Sequence, residues 1–230
     1  MFVCCVPRNS AEFSRVLTVE QSLFGRFTIP PDIAGQFFGS RPEIYQAVFG
    51  PKNTLAAYSS IYPLQPRWAE AFIAGDITEP ELKPSMLLER QESLENSTLY
   101  IGSLVVSDRY DPVTKSALLA SLIAWRAKQL ATASVECFSV IMTPVTEHGE
   151  RLVRHCGARL LNAGSRRKDG CSVYGRKITR GYHTQVVAAV ERLLNGSIVE
   201  MKYNFWSRES WPAVGPDFGE AMPVSVPALS

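Results

Sequence analysis

This sequence is poor in the features that mark several protein classes. Charged residues make up only 20% of its 230 positions, and they nearly cancel to a formal net charge of +2. Nothing in that balance calls for a nucleic acid or an anionic membrane as partner. No apolar run approaches the roughly 18 residues of a membrane span. The opening Met1-Phe2-Val3-Cys4-Cys5-Val6-Pro7 has no basic leader and is too short for a signal peptide. Cysteine is scarce and odd in number (Cys4, Cys5, Cys137, Cys156, Cys171), with no CxxC pair. Neither a disulfide framework nor a metal site is therefore expected, and a reduced, cytoplasmic setting fits best. Cys4-Cys5 reads as core filling in an apolar strand, with a lipidated or reactive thiol as the alternative. No internal repeat is present.

What the chain does have is apolar material. At 46% hydrophobic it can bury one sizeable core, or at most two small ones. Residues 1–7 read as a short strand, and 10–24 as a helix capped by Ser10. Residues 25–42 are punctuated by Gly and Pro and read as a loop region with at most one short helix. Residues 44–49 and 54–62 read as an antiparallel hairpin turning at Gly50-Pro51-Lys52-Asn53, with Pro63 stopping the second strand. Pro66 opens a short helix that ends near Gly75. Residues 76–97 are irregular, with Met86-Leu87-Leu88 touching the core. Leu99 to Val106 is a near-continuous apolar run, as expected of a strand buried on both faces. Asp111-Pro112 opens a helix, apolar nearly all round, that reaches about Leu130. A strand at 137–142, a helix at 146–156 closed by Gly157, and two strands at 159–161 and 171–178 follow. The last pair is joined by a basic loop, Arg166-Arg167-Lys168. An amphipathic helix at 184–194 comes next, and from Pro212 onward a tail rich in Pro, Gly and small residues.

The element order, with Leu99–Ser107 as its central strand and Thr146–Ala158 as its late helix, resembles the GNAT acyltransferase fold. The resemblance covers about residues 40–180. It implies an α/β domain over 1–180, with a mixed, mostly antiparallel central sheet flanked by helices. A C-terminal helix and extension (181–211) and a tail (212–230) would follow. It further implies acyl-CoA or acetyl-CoA as co-substrate, no metal, and a small-molecule or peptide amine as acceptor. The donor's pantetheine arm would pair with Val105 and Val106. Its pyrophosphate would sit on the N–H groups of Val113, Thr114, Lys115 and Ser116, helped by Arg109. The stretch Asp111–Ser116 departs from the family pattern, because both glycines are missing. Pro112 has no N–H to offer, and the Asp111 carboxylate competes for the donors a phosphate needs. Two lost contacts of this kind weaken donor binding by roughly a hundredfold or more.

Asp108, with Ser107 beside it, and Glu136 are the candidate bases for activating an amine. Each also reads as ordinary turn or strand-end polarity. Where the family often places a tyrosine acid, this chain has Val153. Tyr58, Tyr62 and Trp68 read as core or as an acceptor pocket, and Arg151 and Arg154 as a solvated surface or a phosphate contact. Residues 145–157 and Asp169-Gly170 also resemble the second half of acyl-homoserine-lactone synthases. That likeness implies an acyl carrier protein as donor, received by the basic loop. A third reading keeps the fold without catalysis, with 184–194 and the aromatics Tyr203, Phe205, Trp206 and Trp211 forming an interaction or homodimer surface.

Overall fold

The computed structural model describes residues 1–90, 92–131, 137–195 and 201–203. Within them, strands β1 (Phe2–Cys5), β2 (Tyr45–Phe49), β3 (Leu55–Leu64), β4 (Thr98–Val106), β5 (Cys137–Met142), β6 (Arg159–Asn162), β7 (Val173–Thr179) and β8 (Met201–Tyr203) form a single sheet. Their order is β6-β7-β5-β4-β3-β2-β1-β8. Two neighbouring pairs are parallel, β4 with β5 and β1 with β8, and the rest are antiparallel.

Strand alternation sorts the side chains to two faces. On one face Tyr45, Ala47 and Phe49 pack with Phe13 and Val16 of α1 (Ser10–Phe24), Phe37 of α2 (Pro31–Ser40) and Phe72 of α3 (Pro66–Ala74). On the other, Cys4, Val48 and Ala56 meet Leu118, Leu122 and Trp125 of α4 (Pro112–Ala131). That second face also carries α5 (Glu147–His155) and α6 (Arg180–Asn195). The helix 184–194 begins earlier than its apolar spacing indicates. It follows β7 without a loop and lies along α4, where Val190 joins Ala120 and Ala124 and Lys128 meets Glu191 at 3.1 Å.

Several expectations need correction. The cap of α1 is Asn9, whose side chain accepts from the Glu12 N–H at 2.9 Å, and not Ser10. Residues 25–42 do hold one short helix, α2, as expected, and Pro31 at its first turn supplies the fixed φ a helix start needs. Pro63 does not stop β3, which runs on to Leu64. Proline removes a single N–H from the ladder, and its carbonyl is taken by the Leu88 N–H at 2.8 Å. The central strand β4 is not buried on both faces throughout, since Leu104 is 37% exposed. The tail 212–230, with Phe205, Trp206 and Trp211, lies outside the described residues; Tyr203 belongs to β8.

Candidate functional site

The site begins with a break in regular pairing. β4 and β5 run parallel from Thr98↔Ser139 to Ile101↔Met142, and there β5 ends. β4 continues to Val106, bonded to β3 as far as Ala57↔Val106. Among the described residues the β5-facing edge of Gly102–Val106 thus has no strand beside it, and the gap this leaves, the V, is lined by Gly102, Leu104, Thr143 and Val145. At the same place the β3–β4 register slips: Ser60 faces Ser103 while Ile61 faces Ile101. Gly102 is the extra residue, a β-bulge. A Cβ at this position would lie 2.8 Å from Tyr62, 3.0 Å from Ser60 Oγ and 3.2 Å from Glu79 Oε1. Glycine is there because three side chains crowd the backbone.

Glu79 is the unexpected member of that group. The Tyr100 hydroxyl donates to its Oε2 and shares a 2.8 Å hydrogen bond with Thr143 Oγ1, at the end of β5. Burial drives the Glu79 carboxyl well above the usual carboxylate range, and the neighbouring Glu20 adds to the shift. Glu20 is itself buried on α1, where the Ser103 hydroxyl donates to it at 2.5 Å. Burial raises its pKa as well, with the Ser103 bond pulling the other way. No cation pairs with either carboxyl among the described residues. Tyr45, Tyr58, Tyr62 and Tyr100 pack around them, each at most 1% exposed.

The chain fixes Glu79 from both sides. Thr78 and Glu81 bracket it in a reciprocal cap, with Thr78 N–H and Oγ1 both donating to Glu81 Oε2 at 2.8 and 2.7 Å. Lys168 clamps the same Glu81 and the Asp76 carbonyl. Arg167 donates to the Phe72 carbonyl at the end of α3 while Asp169 holds its guanidinium at 2.7 Å. The basic loop between β6 and β7 therefore buries one of its three cations, Arg167, against the end of α3 and ties a second, the exposed Lys168, to the segment that carries Glu79.

Two cavities meet at this carboxyl. The first, about 400 Å³, has walls of mixed polarity and lies among Arg26, Phe27, Glu79, Glu81, Lys168 and Asp169. The second, about 460 Å³, passes through the V and continues under α4, α5 and α6 between mainly apolar walls. Glu79, Thr143, Phe27 and Val145 border both.

No protein-family model matches this chain, and no curated protein matches it in sequence. Solved structures do match in shape. The NatC complex bound to Gag peptide and CoA aligns over 78% of this chain and 97% of its own, at 11% identity and a TM-score of 0.50. A mosquito arylalkylamine N-acetyltransferase like 5b aligns over 77% of this chain and 100% of its own, at 16% identity and a TM-score of 0.50. The fold is that of the GNAT acyltransferases. At such identities the likeness is one of architecture alone. The CoA-dependent acyl-homoserine lactone synthase BjaI, solved with MTA, aligns over 89% of this chain at 13% identity and a TM-score of 0.45.

Within this GNAT fold, the residues singled out from the sequence lie at the rim of the V or away from it. Asp111 accepts from the Val113 and Thr114 N–H groups at 3.0 Å each and from the Thr114 hydroxyl at 2.6 Å. Lys115 reaches Asp108 at 2.8 Å, Arg109 donates to Ser107 at 3.0 Å, and the Ser116 hydroxyl turns back to the Pro112 carbonyl. Asp108 is fully exposed, and its bond to Lys115 holds its carboxyl low. Val105 and Val106 lie on the free stretch of β4. None of these side chains lines either cavity. Glu136 lies outside the described residues. Val153 is buried and borders the apolar cavity. Tyr58 and Tyr62 are core, Arg154 is tied to Glu150 and Tyr174, and Arg151 approaches Glu147 at 3.9 Å.

Proposed function

We propose that this chain moves an acyl group from a thioester donor, held in the V between β4 and β5, to an amine that enters through the smaller, charge-lined cavity. The observation that carries the proposal is the meeting of the two cavities at Glu79 and Thr143. A donor threaded from one side and an acceptor from the other would come together at a half-buried carboxyl.

The chemistry follows from that placement. The amine nitrogen attacks the thioester carbonyl, the new C–N bond forms, and the C–S bond breaks. The nitrogen gives a proton to the Glu79 carboxylate. The leaving thiolate takes up one proton, so amide and thiol are the only products. A raised pKa suits this base, because it narrows the gap between the carboxyl and an amine. Glu79 enters protonated: it gives that proton to the departing sulfur, and the carboxylate so formed takes the proton from nitrogen, so the acid ends as it began. Tyr100 orients Glu79 and links it to Thr143, a path by which the proton can return. Asp108 is the weaker candidate: open to water and held low by Lys115, it has little basicity to offer.

The start of α4 does not suit a CoA diphosphate, since Asp111 already occupies the N–H groups of Val113 and Thr114. This supports a second form of the same reading, in which the pantetheine arm carries recognition and the donor is borne by an acyl carrier protein. The test is to incubate the chain with thioesters of CoA, pantetheine and carrier protein and a panel of amines, following amide by mass and thiol by colour. Amide formation with at least one pair is expected, and its loss in Glu79→Gln. Wild-type protein that releases no thiol above buffer with any donor, or a Glu79→Gln variant at full rate, would refute the proposal.

A further inference from the structure

The apolar cavity reaches much further than a thioester carbon needs. Beyond Gly102 and Thr143 it follows the inner side chains of β5, Met142, Val140 and Phe138, toward the far end of the sheet. Four residues of strand span about 13 Å. α4 walls it on one side with Leu122, α5 with Val153, and α6 closes it with Val186. The polar groups at its deep end are largely engaged. His183 Nε2 bonds the Ala127 carbonyl at 2.7 Å. Arg126 donates to the carbonyls of Glu43 and Ile44, leaving its Nε alone without a partner. A pantetheine arm buried here would strand its two amides, and the two guanidiniums on the wall, Arg126 and Arg176, are turned to backbone carbonyls. An unbranched hydrocarbon fits.

We infer that this chamber under α4, α5 and α6 holds the acyl chain of the donor, an alkyl chain of about ten to twelve carbons. The length follows from geometry, since three bonds of an extended chain cover about 3.5 Å, so ~13 Å takes roughly eleven. The inference rests on the acyl-transfer reading and deepens it, because it makes a medium-length acyl thioester the substrate instead of an acetyl one. The exposed Leu104, Val145 and Leu152 form an apolar sill where such a chain would enter.

The experiment is a calorimetric series on the full chain without acceptor, using acetyl-, hexanoyl-, decanoyl- and hexadecanoyl-pantetheine, with free decanoate as a separate arm. Affinity should rise by up to about fourfold per added methylene and level off near ten to twelve carbons. Val186→Trp and Val140→Phe, each checked for an unchanged thermal midpoint, should cut decanoyl affinity by at least ~50-fold and acetyl affinity far less. Equal affinities across the series, a rise that does not level off, or folded plug variants that bind decanoyl as before would each overturn the inference. Decanoate binding as tightly as its thioester, with the same response to the plugs, would reassign the chamber to free fatty acids and overturn the donor role. The two readings fail separately. Acetyl and decanoyl transferred at equal rates with equal affinity would sink the chamber and keep acyl transfer. A levelling, plug-sensitive series with no acylated product from any amine would do the reverse.

Discussion

Two polar regions flank the open end of β4, and they are built on opposite terms. The outer one, Ser107 to Ser116, is exposed, and its donors and acceptors satisfy each other: Lys115 with Asp108, Arg109 with Ser107, Asp111 with the start of α4. The inner one, half-buried Glu79 with buried Glu20 and four buried tyrosines, holds two carboxyls with no cation among the described residues. A surface that answers its own charges needs no ligand. A buried acid without a counter-charge keeps its proton and can exchange it with whatever enters. The contrast explains why the groups that look most chemical in the sequence lie outside the cavities, while the group in position sits in an unremarkable loop.

The comparison can be broken in stages. The largest effect should come from Glu79→Gln, which keeps the shape and removes the proton acceptor. Turnover should fall by about 10²–10⁴-fold while thioester binding, read by calorimetry, holds. If turnover instead follows Asp108→Asn, the outer region is the catalytic one. Next is Gly102→Ala. With Tyr62 at 2.8 Å from the added carbon, it should destabilise the fold by about 1–3 kcal/mol, read as a lower urea midpoint. Asp111→Gly should move the other way on binding: with two N–H groups released, CoA affinity should rise several-fold, and the thermal midpoint should drop as the cap is lost.

pH sharpens the contrast within a single helix. Burial raises Glu20 and Glu79, so the folded chain holds their protons more firmly than the unfolded one. Their contribution is complete below the ordinary carboxylate range and is lost as pH rises through their folded values. Glu12, at the other end of α1, has the opposite sign. Burial pushes it up, but its hydrogen bonds from Arg8 prevail and hold it low. Its contribution is present above the ordinary range and lost as pH falls through the folded value. Urea midpoints measured against pH should therefore decline on both sides. Glu79→Gln should flatten the alkaline limb alone, and an unchanged alkaline limb would show that Glu79 is not a buried acid. Smallest of all, Lys115→Ala should leave both turnover and stability unchanged within error, because exposed pairs contribute little.

Much of the fold was legible because its signals are local. Proline at the first turn of α3, Gly75 at φ 92° after its last turn, and Asp111 before α4 are punctuation written beside the elements they bound. The site was less legible because its signals are tertiary. Thr78-Glu79-Pro80-Glu81 reads as an acidic surface loop. Nothing in those residues reveals that Tyr100, Thr143 and the Arg167–Lys168 loop enclose them from 21 to 90 positions away. One local sign existed. Gly102 interrupts an otherwise apolar strand, and glycine there marks a bulge or a close backbone approach. The deep chamber had no such sign, since Phe138, Val140 and Met142 look the same whether they face packed core or open space.

The bulge at Gly102 also acts as a reading-frame shift along β4. Before it, Tyr100 faces the buried acids and Leu99 and Ile101 face the chamber; after it, Ser103 and Val105 take the first side and Leu104 the second. Deleting this one residue would restore simple alternation and leave every later side chain on its present side, but it would remove the bulge that brings the backbone against Tyr62, Ser60 and Glu79. The close approach of the backbone to Glu79 is in that sense set by one extra residue in the strand, held in place without disturbing the sorting of the side chains on either side of it.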